Sequence, residues 1–274
     1  MANKTILKWA GSKVRVMDKL LPHLPAGKRL VEPFAGSCAV MMNTDYPAYL
    51  VADINADLIN LYAEILSFGD DIDWCVNWLE AGFYGGNSRE MYNIKRDAFN
   101  GKRLVLTQAL KAAHFLYLNR HCYNGLCRYN LSGEFNTSYG KYKNVYFPEK
   151  EIRIFSEKAQ RAEIACLEWR DTLVLVEHGD VIYCDPPYLT TKGAFTQYHQ
   201  SAFTPADHEL LAVILHSLNT ENGVPVTVSN SIDAKTLYAD LGFTVHEIDA
   251  PRTIAANGNR QPAKEIIAVL EARA

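Results

Sequence analysis

Val181-Ile182-Tyr183-Cys184 runs without a break into Asp185-Pro186-Pro187-Tyr188, and no other stretch limits the fold so tightly. Four apolar, β-favouring residues in a row fit a strand buried on both faces. Two prolines then end it, because each fixes φ and removes a backbone donor. A carboxylate is left at the carboxyl end of a buried strand, which is where open α/β sheets bind ligands.

The rest of the chain supplies such a sheet. Residues 29–34 read as a short buried strand, 35–37 as a small-residue turn, and 38–43 as a helix that Ser37 would cap. Residues 49–52 read as a second strand, ending at Asp53. Thereafter 57–118 is mostly helical. Leu58, Leu61, Tyr62, Ile65 and Leu66 fall on one helical face, Trp74, Trp78 and Leu79 continue the habit, and 104–118 reads as another apolar helix. Residues 131–135 suggest a hairpin and 149–160 a helix. Residues 164–167, 180–184, 225–228, 243–248 and 266–270 read as strands, with a helix at 203–218 opened by Thr204-Pro205 and a loop at 251–262. The expected architecture is an α/β domain formed by 1–56 and 148–274, interrupted by a helical insertion at 57–147.

The chemistry at Asp185 follows from its surroundings. A carboxylate beside a rigid outward carbonyl is an acceptor pair for an exocyclic amino group, and Tyr188 offers a flat face for a base. An aromatic amine is a poor nucleophile, since its lone pair is delocalised into the ring. Accepting both N–H bonds draws that pair out of the plane, ready to attack an electrophilic methyl in line. Taken alone, the tetrapeptide also fits a turn that merely ends a strand. Gly36 lets a ligand approach the backbone, and Asp53, 17 residues on, suits the two ribose hydroxyls of an adenosine-containing ligand. A helix N-cap is the plainer reading of Asp53.

Charge is distributed unevenly. The net charge is -3, yet residues 89–143 hold ten Lys/Arg against three acids, so that segment is +7 and the remainder -10. A local basic field is what a phosphate backbone meets, although a solvated helical face fits it as well. Six cysteines are scattered without CxxC spacing, and only His121, Cys122 and Cys127 come near a metal cluster, so no metal is expected. No run approaches the ~20 apolar residues of a membrane helix, and no apolar signal core opens the chain. A cytoplasmic protein without membrane contact, and without an obligate protein partner, is expected.

Three motifs stand in order along the chain: Lys8-Trp9-Ala10-Gly11-Ser12-Lys13, Glu32-Pro33-Phe34-Ala35-Gly36-Ser37 and Asp185-Pro186-Pro187-Tyr188. That is the order found in Dam-type DNA adenine-N6 methyltransferases, and the chain resembles that family over essentially its whole length. Residues 119–130, with Gly133-Glu134-Phe135-Asn136 and Tyr146-Phe147-Pro148-Glu149, resemble the family's recognition segment. The resemblance implies a Rossmann-like S-adenosylmethionine-dependent methyltransferase sheet with an inserted DNA target-recognition domain. It implies transfer of a methyl from S-adenosylmethionine to adenine N6 in double-stranded DNA, within GATC, by base flipping and direct in-line attack, with S-adenosylhomocysteine as by-product. Trp9, Lys13, Phe34, Asp53 and Asp185 match cofactor-site positions. Asp185, Pro186 and Tyr188 match those that hold the flipped adenine. Lys8 and Arg128 match guanine contacts; Tyr123, Asn124 and Leu126 match a segment that wedges into the duplex; Tyr142 and Lys143 match backbone contacts. Ser12 stands where the family often has glycine, and Thr137-Ser138 departs within the hairpin framework. The polar stretch 252–260 suits a phosphate.

Other readings fit the same residues. Cytosine N4 or an RNA base would suit the same amine pocket. Cytosine-C5 chemistry needs a Pro-Cys nucleophile that the sequence lacks. A DNA-binding protein with a dead site would not need an intact Asp185.

Overall fold

The computed structural model describes residues 2–84, 86–189, 203–251 and 263–272. Among them are seven strands: β1 (Arg29–Glu32), β2 (Ala48–Ala52), β3 (Ala162–Ala165), β4 (Asp180–Cys184), β5 (Val226–Ser231), β6 (Thr244–Ala250) and β7 (Ala263–Leu270). They form one sheet in the order β3-β2-β1-β4-β5-β7-β6. The first five are parallel, and β7 runs antiparallel between β5 and β6. The chain builds outward from β1 to β3, then returns to lay β4 on the other side of β1. That reversal opens a crevice at the carboxyl ends of β1 and β4.

The central strands show why they form. Their successive residues point alternately into two separate cores. Leu30, Tyr49, Val51, Val181 and Tyr183 enter one; Val31, Leu50, Ile182, Cys184, Val226 and Val228 enter the other. Both faces are covered, so the strands read as continuous apolar runs.

Nine helices accompany the sheet in the described residues: α1 (Met17–Leu20), α2 (Ala56–Ser67), α3 (Ile72–Phe83), α4 (Arg89–Phe99), α5 (Gln108–His121), α6 (Glu149–Ala159), α7 (Trp169–Val174), α8 (Pro205–Asn222) and α9 (Lys235–Asp240). Along α2, Leu58, Leu61, Tyr62 and Ile65 are buried, with Asn55 accepting the Asp57 and Leu58 N–H bonds as N-cap. Helix α5 is buried almost all round from Ala112 onward, as befits a helix packed among neighbours. Its core residues Phe115 and Leu116 belong to the same continuous core as Leu30 and Tyr49. Helix α8 opens with a capping box between Thr204 and Asp207 and closes on Gly223 at φ +69°.

The expectations for two helices and a hairpin need correction. The helix at 38–43 is reduced to a 3₁₀ turn at Met41–Asn43. Cys38 has φ +55°, outside helical geometry, and the Ser37 hydroxyl bonds Ser12 instead of capping. The Met41 N–H finds its acceptor in Glu32 Oε1, at 3.0 Å, which reaches beneath the turn from the end of β1. The helix expected from 104 begins at Gln108, because Thr107 caps it and Leu104 and Val105 lie exposed before it. The hairpin at 131–135 is a tight turn closed by a bridge between Tyr129 and Phe135. The loop at 251–262, with its polar stretch 252–260, lies outside the described residues beyond Pro251. No helix among the described residues is long and apolar enough to cross a membrane.

Candidate active site

Asp185 leaves β4 at the crevice and meets Lys13 from the N-terminal segment. Lys13, 4% exposed, donates to Asp185 Oδ2 at 2.6 Å and to the Gly11 carbonyl at 2.7 Å. Asp185 Oδ1 is buried and has no hydrogen-bond partner among the described residues. Burial raises the carboxyl to about 6, with Lys13 pulling the other way and Glu265 adding to the rise. The carboxylate therefore has one oxygen committed and one open. An unpaired buried acceptor is costly in a folded chain, so it marks a place where a donor belongs. Tyr188 donates its hydroxyl to Glu265 Oε2 at 2.7 Å, and the Lys13 ammonium stands 5.0 Å from its ring centre.

The turn after β1 faces the same crevice. Gly36 has φ +48°, and a Cβ there would stand 2.8 Å from the Trp9 indole nitrogen. Only glycine lets Trp9 lie against this backbone. Asp53 accepts the Gly36 N–H on Oδ2 and the Asn55 N–H on Oδ1, both at 2.9 Å. Since Asn55 caps α2, the N-cap reading of Asp53 falls away. Phe34 stacks on Trp169, centroids 6.3 Å apart, and meets Phe203 edge-on at 5.7 Å.

One cavity of about 560 Å³ joins these parts. Trp9, Lys13, Phe34, Gly36, Asp53, Asp185, Pro186 and Tyr188 all line it, with Trp169, Phe203, His208 and Glu32. Glu32 belongs to the Glu32–Ser37 motif but carries no role there, and Trp169, Phe203 and His208 give no sign in the sequence, where an isolated residue has no spacing signal. Glu32, 2% exposed, is pushed by burial up to about 8. His208, equally buried, is pushed down to about 4 by burial, and its Nδ1 is unpartnered among the described residues.

A second cluster lies at the other end of the Lys8–Lys13 segment. The Lys8 N–H donates to Asn119 Oδ1 at 2.9 Å, and Asn119 Nδ2 donates to the Lys8 carbonyl at 2.7 Å. The Lys8 ammonium donates to the Arg120 carbonyl at 3.1 Å and lies 4.0 Å from the Tyr142 ring centre. Burial and the neighbouring Arg120 lower its pKa. Asn124 takes φ +55° and donates its N–H to the Tyr142 hydroxyl at 2.8 Å. Gly125 packs so closely on Lys8 that a Cβ would overlap it. Tyr123 is 56% exposed, whereas Leu126 is 5% exposed and points inward. Arg128 and Lys143 are exposed.

The basic segment is less open than its count of ten suggests. Arg120 is buried; Lys102, Lys111 and Arg96 pair with Glu134, Asp57 and Asp97; Lys95 bonds the Gly82 carbonyl. Arg89, Arg103, Arg128, Lys141 and Lys143 are exposed and make no ion pair with a described residue. His121 stacks on Tyr117 at 3.8 Å and bonds its carbonyl. Among the described residues no three His, Cys, Asp or Glu gather as a metal site.

The strand order, with a carboxylate and a small-residue turn at the switch point, defines a Rossmann-like methyltransferase fold. A family model described as D12 class N6 adenine-specific DNA methyltransferase matches residues 9–254. The chain is 53% identical over 272 residues to the retron Ec67 DNA adenine methylase of Escherichia coli, covering 98% of this chain and 92% of that one. It is 43% identical over 270 residues to a DNA adenine methylase of Serratia marcescens, covering 97% and 98%. It is 40% identical over 270 residues to one of Escherichia coli strain K12, covering 97% and 95%. The chain belongs to the D12 class of N6 adenine-specific DNA methyltransferases. Adenine in DNA is thus its target, and the cytosine, RNA and non-enzymatic readings are set aside.

Proposed function

We propose that this enzyme transfers the methyl group of S-adenosylmethionine to adenine N6 within GATC in duplex DNA, on a base flipped out of the helix. The observation that carries the reading is Asp185 itself, with Oδ2 held by Lys13 and Oδ1 open, in the cavity that Phe34, Gly36 and Asp53 also line.

The residues present fit the cofactor. The cavity falls in the usual ~300–1,000 Å³ range for small-molecule sites, its aromatic wall suits an adenine ring, and its open acceptor suits an amine. Trp9, Lys13, Phe34, Gly36 and Asp53 would hold S-adenosylmethionine, with Asp53 toward the ribose. When bound, S-adenosylmethionine supplies an electrophilic methyl on a sulfonium, leaving S-adenosylhomocysteine as by-product.

The chain's own residues prepare the acceptor. Asp185 Oδ1 and the Pro186 carbonyl accept the two N–H bonds of the target amine and turn its lone pair toward the methyl. Lys13 keeps Oδ2 occupied, so the amine meets one defined oxygen. Tyr188 stacks on the base. No covalent bond to the protein is needed. After transfer, the excess proton on N6 leaves through the Asp185 hydrogen bond.

The second cluster supplies the address. Residues 57–147 act as the recognition insertion on the catalytic parts 1–56 and 148–274. Arg128 forks onto a guanine edge, and Lys8 reaches another with the two ammonium protons that Arg120 leaves free. Tyr123, with Asn124 beside it, enters the space vacated by the flipped base, which offsets unstacking. The burial of Leu126 favours a supporting role beneath that loop. Tyr142, Lys143 and Lys141 suit the phosphate backbone. The test is product analysis: the isolated protein with S-adenosylmethionine and duplex DNA should yield N6-methyladenine, and Asp185→Ala should yield none. Product formed at the wild-type rate by that variant would remove the carboxylate from the mechanism.

A further inference from the structure

The antiparallel strand brings one more residue to the site. Parallel strands deliver their last residues to the ligand edge of a sheet, but β7 runs the other way and delivers its first. Glu265 stands third in β7, opposite Ser231 at the very end of β5. From there its carboxylate receives the Tyr188 hydroxyl at 2.7 Å. Ser231 and Asn230 hold the next residue too, since the Ser231 hydroxyl donates to the Leu189 carbonyl at 2.5 Å and the Leu189 N–H donates to Asn230 Oδ1 at 3.1 Å. The chain leaving Tyr188 is thus anchored on the ends of β5 and β7.

We propose that Glu265 is the positioning residue for Tyr188, and that Tyr188 serves the target adenine through its ring face alone because its hydroxyl is committed to Glu265. The proposal rests on the reading of Tyr188 as the stacking platform. A phenol has one proton to give, and here it is given to a carboxylate, which makes a charge-assisted bond stronger than a neutral one. That bond fixes the direction of the hydroxyl and so the tilt of the ring. Without it the ring turns about χ1 and χ2, and the amine is presented to Asp185 Oδ1 in productive geometry less often. Burial and the nearby carboxylates of Asp185 and Glu265 hold the phenol protonated, well above its ordinary range, so the donor is always present.

Four variants, Glu265→Ala, Glu265→Gln, Tyr188→Phe and the double Glu265→Ala/Tyr188→Phe, are compared in single-turnover methylation of duplex DNA at saturating S-adenosylmethionine, with DNA and cofactor binding measured separately. Glu265→Ala should slow methyl transfer about ten- to a hundredfold, the worth of one hydrogen bond to a charged group, while both affinities stay near wild type. Glu265→Gln, whose amide oxygen still accepts from the hydroxyl, should recover most of the rate. Tyr188→Phe should match Glu265→Ala, and the double variant should be no slower than either single one. A wild-type rate in Glu265→Ala overturns the proposal, as does a multiplicative loss in the double variant or no rescue by glutamine. Absence of adenine methylation by the wild-type enzyme would instead sink the reading beneath it.

Discussion

Lys13 and Asp185 are 172 positions apart in the chain and 2.6 Å apart in the fold. Lys13 is also the last residue of the segment that begins at Lys8, which is clasped by Asn119, Arg120 and Tyr142. One short stretch of backbone therefore touches both the residues proposed to read DNA and the carboxylate proposed to receive the amine.

The Asp185 carboxyl sits at about 6 because burial outweighs the pull of Lys13. The ionised form is the acceptor, so kcat/KM should fall as pH drops through about 6 and level off above it. Lys13→Met removes the favourable charge and should move this acid limb upward, toward neutral pH. A limb that stays in place in Lys13→Met would show that Asp185 does not set it.

Glu32 gives a stability test with a definite sign. Its folded carboxyl is raised from 4.5 to about 8 by burial. Its contribution to stability is full below pH 4.5 and is lost as pH rises toward 8, at about 1.4 kcal/mol per pH step of one. Glu32→Gln keeps an acceptor for the Met41 N–H but cannot ionise. Its Tm should exceed that of wild type at pH 8, and the two should converge near pH 4.5. An offset that is equal at both pH values would contradict the buried, protonated carboxyl.

Tyr123 and Leu126 should separate cleanly. Leu126→Ala removes a buried side chain and should cost ~2–5 kcal/mol of stability. Tyr123→Ala alters an exposed side chain, should stay within ~0.5 kcal/mol in stability, and should reduce the fluorescence gain of 2-aminopurine placed at the target adenine. Loss of that gain in Leu126→Ala but not in Tyr123→Ala would reverse their roles.

Arg128 is exposed and makes no ion pair with a described residue, so it is available to a guanine edge. Arg128→Ala should lose ~1–3 kcal/mol of discrimination at one base position, with near-cognate sites methylated more evenly. Equal weakening at cognate and near-cognate sites would make it a phosphate contact.

Much of the fold was legible because its signals are local. The run 181–184 reads as buried strand since each residue faces one of two cores, and the prolines after Asp185 mark its end. Thr204-Pro205 marks the start of α8 for an equally local reason. The failures are long-range. The helix expected at 38–43 gave way to Glu32, whose side chain supplies the acceptor from β1. Leu126 matches a wedge position by resemblance, and its 5% exposure comes from packing that the sequence does not show. Half of the ten basic residues at 89–143 are buried or partnered, which a charge count cannot anticipate. Glu265 gave no sign at all, because the direction of β7 alone brings it to Tyr188, 77 residues away.

The position of the methylated base in DNA tests the proposed activity as a whole. Plasmid DNA incubated with the purified enzyme and S-adenosylmethionine is digested with nucleases that differ in their response to GATC methylation, and N6-methyladenine is mapped by sequencing. The expected result is methylation confined to the adenine of GATC, and none with Asp185→Ala. Methylated adenines spread over unrelated sequences, or product formed without Asp185, would contradict it.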